Sequence, residues 1–224
     1  MCPILDTDTG NDVLQALDVE AEEKVKSAPL RKTRSAYPVC TDTGIIDDGR
    51  EDHPLATCGS EWRTSVTGGA GDVQGPVSDA QAEQAYELDG RSSITFSGRV
   101  AANEGEIVAL VMDLAKDEYT VDARGWDGIE LEVRCSEAET YCVSLVESRD
   151  TRVKSFRAPF PTKPAYGTVR VAFEDFVGQG EGAKDGRLDI SKLRRIGVLA
   201  VDNEGVGREF ELSILSVQFY CDMA

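Results

Sequence analysis

Trp126-Asp-Gly-Ile-Glu-Leu-Glu-Val-Arg134 is the stretch on which the fold of this chain turns. Ile129, Leu131 and Val133 alternate with Glu130, Glu132 and Arg134, a period of two that sets one strand face against a core and the other in water. The same period returns in Val169-Arg-Val-Ala-Phe-Glu-Asp-Phe176. Further β-rich stretches are Phe156-Arg-Ala-Pro-Phe160, Leu193-Arg-Arg-Ile-Gly-Val-Leu-Ala200 and Phe210-Glu-Leu-Ser-Ile-Leu-Ser-Val-Gln-Phe-Tyr220, with short polar turns between them. In the last, Ile214 and Leu215 are both apolar, so the alternation changes phase and predicts a bulge or a strand buried on both faces. Ser191-Lys-Leu-Arg-Arg195 predicts a short helical turn. About eight to ten strands without a sustained helical period predict an all-β antiparallel sandwich rather than a parallel α/β sheet.

At 224 residues and 41% hydrophobic, the chain suffices for one sizeable core, burying roughly 70% of its unfolded surface. Its 41 acidic and 24 basic residues leave a net charge of −17, which repels nucleic acid and anionic lipid and offers no basic footprint for either. No window approaches the ~20 consecutive apolar residues of a membrane span. The opening Met-Cys-Pro-Ile-Leu-Asp6 fits neither a secretory signal nor an Arg-rich transit peptide, so the chain reads as soluble.

The six cysteines, Cys2, Cys40, Cys58, Cys135, Cys142 and Cys221, are too widely spaced for a disulfide-stapled scaffold, and no Cys-x-x-Cys occurs. A hairpin pairing 129–135 with 141–147 would set Val133 opposite Val143 and Leu131 opposite Leu145. Cys135 then lies on the apolar face and Cys142 on the other, which excludes a disulfide between them. Cys135 reads as a buried thiol. For Cys40 and Cys58, in polar, turn-rich sequence, a disulfide, a modified thiol and an idle thiol all stay open.

Residues 1–60 differ from the rest and read as an extended acidic arm, with 12 acidic and 6 basic residues, ahead of a sandwich at 61–224. One short helix is expected near 12–27, capped by Asn11 or Asp12, with Leu14, Leu17, Ala21 and Val25 as a narrow apolar stripe and Pro29 as a stop. Such an arm cannot bury enough apolar surface to fold alone. An amphipathic helix without a core of its own seeks a groove, which makes Leu14, Leu17, Ala21 and Val25 the preferred partner contact; packing back onto the sandwich is the alternative.

From Trp62 onward the elements resemble the complex I intermediate-associated protein 30 family. They are the Thr67-Gly-Gly69 stretch, Ile94-Thr-Phe-Ser-Gly98, Asn103-Glu-Gly105, the Trp126 to Arg134 strand, Phe156-Arg-Ala-Pro-Phe-Pro-Thr162, Val171-Ala-Phe-Glu-Asp-Phe176, Leu188-Asp-Ile-Ser-Lys-Leu-Arg-Arg-Ile-Gly197 and the final Phe210 to Tyr220 strand. In order and spacing they cover roughly residues 60 to 221. Ser65-Val-Thr-Gly-Gly-Ala-Gly71 keeps only the glycine pair of the element the family carries there. The resemblance implies a galactose-binding-like jelly roll. It also implies a non-enzymatic scaffold or assembly role, binding protein subunits of a membrane electron-transfer complex, respiratory or photosynthetic, in a mitochondrion or a thylakoid-bearing plastid. The fold also suggests a carbohydrate-binding module as the alternative, with Trp62 and Trp126 as its ligand platform.

Catalytic and metal sites have little to build on, and no cofactor is expected. The single histidine, His53, reads as a surface residue without a nucleophile motif beside it. Asp47-Asp48 and Glu51-Asp52 lack calcium-loop spacing and read as a solvated charge run. Gly178-Gln-Gly-Glu-Gly182 and the run from Thr67 to Gly71 lack the strand-turn-helix setting of a phosphate cradle and read as turns. Among the aromatics near strand ends, Trp62, Tyr119, Trp126 and Tyr166, Trp126 precedes Asp-Gly and suits core packing better than a platform.

Overall fold

Alternating apolar side chains need a second layer to bury them, and here two antiparallel sheets supply it to each other. The computed structural model describes residues 39–67, 78–87, 90–102, 106–115, 120–135, 139–149, 152–179, 186–202 and 206–222. The first sheet contains β1 (Ile45–Asp47), β3 (Asp79–Tyr86), β4 (Ser92–Val100), β6 (Gly128–Cys135), β9 (Gly167–Ala172) and β12 (Arg208–Tyr220). Its order is β3-β4-β12-β6-β9, with β1 added to β12. The second contains β2 (Arg63–Thr67), β5 (Ile107–Asp113), β7 (Thr140–Arg149), β8 (Arg152–Pro161), β10 (Val177–Gln179) and β11 (Leu193–Val201), in the order β10-β8-β7-β11-β5-β2. The expected all-β jelly-roll sandwich is thus present.

Ile129, Leu131 and Val133 of β6 point inward beside Phe210, Leu212 and Ile214 of β12, and meet Phe156, Ile196 and Val198 from the other sheet in one core. The phase change at Ile214 is a bulge: Ile214 pairs with Val133 but Ser216 with Glu132, which leaves Leu215 as the extra residue. The expected turn before β11 is a single 3-10 turn, Ile190–Lys192, whose Asp189 carboxylate accepts from Ser191 N.

Two expectations are corrected. Segments 129–135 and 141–147 do not form a hairpin: β6 lies between β12 and β9 in the first sheet, and β7 between β8 and β11 in the second. Cys135 is buried and Cys142 half-buried, no disulfide joins them, and it is the separation into two sheets that keeps them apart. The arm expected over 1–60 is also not uniform, because residues 39–60 belong to the sandwich. After α1 (Val39–Thr43), β1 joins β12, and Cys40, Ile46, Ala56 and Cys58 fill the core. Cys40 Sγ lies 3.9 Å from Leu114 O, and Cys58 Sγ 3.9 Å from Met112 Sδ. This strap therefore touches the first sheet through its backbone and the second through its side chains. The helix expected near 12–27 lies outside the described residues.

Candidate functional site

The residues singled out from sequence do not converge. Leu14, Leu17, Ala21, Val25 and Tyr119 lie outside the described residues. Trp62 is 2% exposed and offers no face to a ligand; its Nε1 donates to Asp47 Oδ2 at 2.7 Å. Trp126 is half-buried, stacked on Phe219 with centroids 6.2 Å apart, and donates to Thr41 O at 3.3 Å. Both indoles pack inward, as the sequence favours for Trp126, and the platform of the alternative reading, Trp62 with Trp126, is not formed. Tyr166 is tied down as well: its hydroxyl donates to Glu87 Oε1 at 2.5 Å, and the Arg134 guanidinium lies 4.7 Å over its ring.

Asp47 does not belong to a solvated charge run. It is 8% exposed, and burial raises its pKa above the usual carboxylate range, partly offset by the Trp62 bond and by Gly49 N donating to Oδ1 at 3.1 Å. His53 is half-buried beside it rather than on open surface, and burial holds its pKa below the ordinary value. Burial pushes the Cys40 thiol up to about 12 and raises Cys58 as well, so both are inert core groups. Among the described residues no group of three or more His, Cys, Asp or Glu is placed to hold a metal ion.

The two outer faces of the sandwich differ. That of the first sheet is polar and ion-paired: Arg170 Nε donates to Glu130 Oε2 at 2.6 Å, and Arg91 Nη1 to Glu132 Oε2 at 3.0 Å. That of the second sheet has an aliphatic centre among polar and charged side chains. Strand register aligns Arg63, Val111, Gly197, Ser144, Arg157 and Val177 in one row across all six strands. On one side of it runs the row Ser65, Ala109, Leu199, Cys142 and Pro159; on the other, Asp113, Arg195, Val146, Ser155 and Gln179.

Ile107, Ala109, Val111 and Leu199 make a hydrophobic cluster of their own here, separate from the core between the sheets. Leu199 is 0% exposed and Ala109 1%. Gly197 keeps the floor flat, since a Cβ there would come within 3.0 Å of Val111 Cγ1. Ser144 Oγ and Ser155 Oγ are buried without a hydrogen-bond partner among the described residues. At one margin Asp113 accepts from Arg195 Nε and from Arg63 Nη2, each at 2.8 Å. No aromatic side chain stands in these three rows.

This surface presents apolar side chains, guanidinium groups and the two buried hydroxyls, and no group of three or more metal-ligating side chains lies among the described residues. Its signature in the sequence is not alternation but the unbroken apolar runs Ile107-Val-Ala-Leu-Val-Met112 and Ile196-Gly-Val-Leu-Ala-Val201, which mark strands buried on both faces.

Solved structures of the same architecture include a Clostridium thermocellum family 11 carbohydrate-binding module in complex with a mixed-linked β-1,3-1,4 tetrasaccharide. It is 11% identical, with 80% of this chain and 96% of that one covered, at a TM-score of 0.60. A second, the family 11 module of a cellulosomal cellulase from the same organism, is 12% identical over 80% and 95% of the two chains, with a TM-score of 0.61. The family 30 module of another C. thermocellum cellulosomal cellulase is 10% identical over 72% and 92%, with a TM-score of 0.52. At such identities they establish the galactose-binding-like jelly roll and nothing finer. A search of curated proteins returns no match. The family model described as complex I intermediate-associated protein 30 matches residues 63–214, from the start of β2 to the bulge of β12. The chain belongs to the complex I intermediate-associated protein 30 family.

Proposed function

We propose that this chain is a non-catalytic binding subunit that holds protein components of a large membrane electron-transfer complex, with the outer face of the second sheet as its contact surface. One observation supports the reading above others: the rows across that face combine a shielded aliphatic centre with arginines and contain no aromatic ring. Apolar centres with arginine nearby suit another protein's side chains. A pyranose needs an exposed ring to stack on, and both tryptophans are occupied inside the structure. The family description speaks of complex I, which favours a respiratory complex and a mitochondrial setting over a photosynthetic one.

Ser65→Glu with Val177→Glu places carboxylates near the two edges of this face, at half-exposed and exposed positions. Glu83→Lys changes the other sheet's outer face. In native gels of solubilised organelle membranes, the tagged wild type and Glu83→Lys are expected to migrate with a high-mass complex, and the double variant to run free. A wild type found only as free chain, or a double variant that comigrates undiminished, overturns the proposal. Saturable binding on a glycan array, abolished by the same double variant, would reassign the face to a carbohydrate-binding module.

A further inference from the structure

In a chain of net charge −17, the three rows across the second sheet's outer face carry Arg63, Arg157 and Arg195 against the single carboxylate Asp113. No described helix or strand packs across this face. We propose that it is the resting place of the chain's own segment 11–26, with Leu14, Leu17, Ala21 and Val25 seated on the Leu199 row, so that a partner gains the face by displacing that segment. This takes from the proposed function that the face is a binding surface; it names the first occupant.

Charge, length and tether all fit. Residues 11–26 hold five carboxylates, Asp12, Asp18, Glu20, Glu22 and Glu23, against two lysines, Lys24 and Lys26, both at the C-terminal end. In a helix Asp18 and Glu22 stand one turn apart along one flank of the stripe, where guanidinium groups meet them as the apolar side chains seat. The 16 residues from 11 to 26 make a helix about 24 Å long. Six strands with five gaps of ~4.8 Å give a sheet of the same width. The 12 residues from 27 to 38 reach up to ~40 Å, and they lead to a chain that enters the described structure beside this sheet, where Cys40 touches Leu114 just beyond β5. A covering segment also brings acceptors to Ser144 Oγ and Ser155 Oγ, buried hydroxyls that the described residues leave unsatisfied. A displacing partner must then present the same chemistry, an acidic amphipathic segment.

The test uses the full chain and its own thiols. Cys142 is half-buried on this face, Cys221 is exposed at the far end of β12, and Cys135 is buried in the core. Iodoacetamide labelling, mapped by mass spectrometry, is compared between the wild type and Leu14→Asp with Leu17→Asp. Cys142 is expected to label about tenfold faster in the variant, as a locally opened site does, with Cys221 unchanged and Cys135 silent in both as the check on folding. Raising ionic strength in the wild type should also speed Cys142, because charge pairing holds the segment down. Equal Cys142 rates in the two chains overturn the proposal. So does a wild-type rate that rises on dilution, which would make a second copy the occupant. Loss of complex capture with Cys142 still protected would sink the proposed function and leave this inference standing.

Discussion

Replacing Trp62 with phenylalanine removes one buried hydrogen bond and little else. Trp62 is 2% exposed and Asp47 8%, and the indole N–H donates to the carboxylate at 2.7 Å. A bond of this kind to a charged group contributes about 1.5–3 kcal/mol, and the smaller ring adds about 1 kcal/mol of packing loss. Trp62→Phe should therefore destabilise the protein by roughly 3 kcal/mol at pH 7, each kcal/mol lowering Tm by ~2–4 °C in a domain of this size. The pH dependence is specific. Burial puts Asp47's folded pKa above its unfolded value, so the folded state binds its proton more tightly. That contribution to stability is complete below the unfolded pKa and is lost as pH rises through the folded one. Removing the indole raises the folded pKa further, which enlarges the loss at neutral pH and leaves the acid end unchanged. The penalty should accordingly shrink towards the ~1 kcal/mol packing part near pH 4. Urea unfolding followed by circular dichroism at both pH values measures it. In an Asp47→Asn background, which keeps an acceptor but not the charge, the pH 7 penalty should fall to the value near pH 4. A penalty independent of pH, and unchanged in the Asp47→Asn background, would refute the coupling.

Gly49→Ala should lower stability by about 3 kcal/mol or more, since its φ is +69° and a Cβ would stand 2.2 Å from Ser92 O. Gly90→Ala, at φ +86° but in open space, should cause only about 1–2 kcal/mol, and thermal melts that rank the two the other way contradict the geometry. Asp113→Ala removes a carboxylate acceptor of Arg195, whose side chain is 6% exposed, and should destabilise by about 1–3 kcal/mol. Arg63→Ala at the other end of that pair, 54% exposed, should change stability by less than about 1 kcal/mol, so equal losses in urea titrations would count against the account. Thiol labelling of the native chain at pH 8 should mark Cys221 and leave Cys40, Cys58 and Cys135 unreactive until denaturant is added; fast native modification of Cys40, whose pKa burial lifts to about 12, would contradict its placement.

Alternation at Ile129, Leu131 and Val133 was legible because it reports a local choice between two faces, and the broken phase at Ile214–Leu215 was legible as a bulge for the same reason. Neighbours were not. The spacing that suits a 129–135 and 141–147 hairpin suits equally well a chain that crosses from one sheet to the other, and only the burial of both apolar faces together decides. Residues 39–60 escaped notice because Cys40, Ile46, Ala56 and Cys58 follow neither period, and Asp47 is made tolerable by a tryptophan 15 residues further on. The aliphatic outer face escaped for the converse reason. An amphipathic reading looks for one dry side, whereas β5 and β11 are dry on both.

The place of β12 in the middle of the first sheet, between β4 and β6, sets the order of events as the chain leaves the ribosome. Val100 at the end of β4 emerges 120 residues before Tyr220 at the end of β12, a wait of ~6–24 s at ~5–20 residues per second. Throughout it, β4 lacks the neighbour that pairs with it from Ile94 to Val100, and the earlier strap strand β1 has no strand to join. The nascent chain thus carries two unpaired strand edges over this interval. It is during this interval, rather than after closure, that a holding chaperone has something to hold.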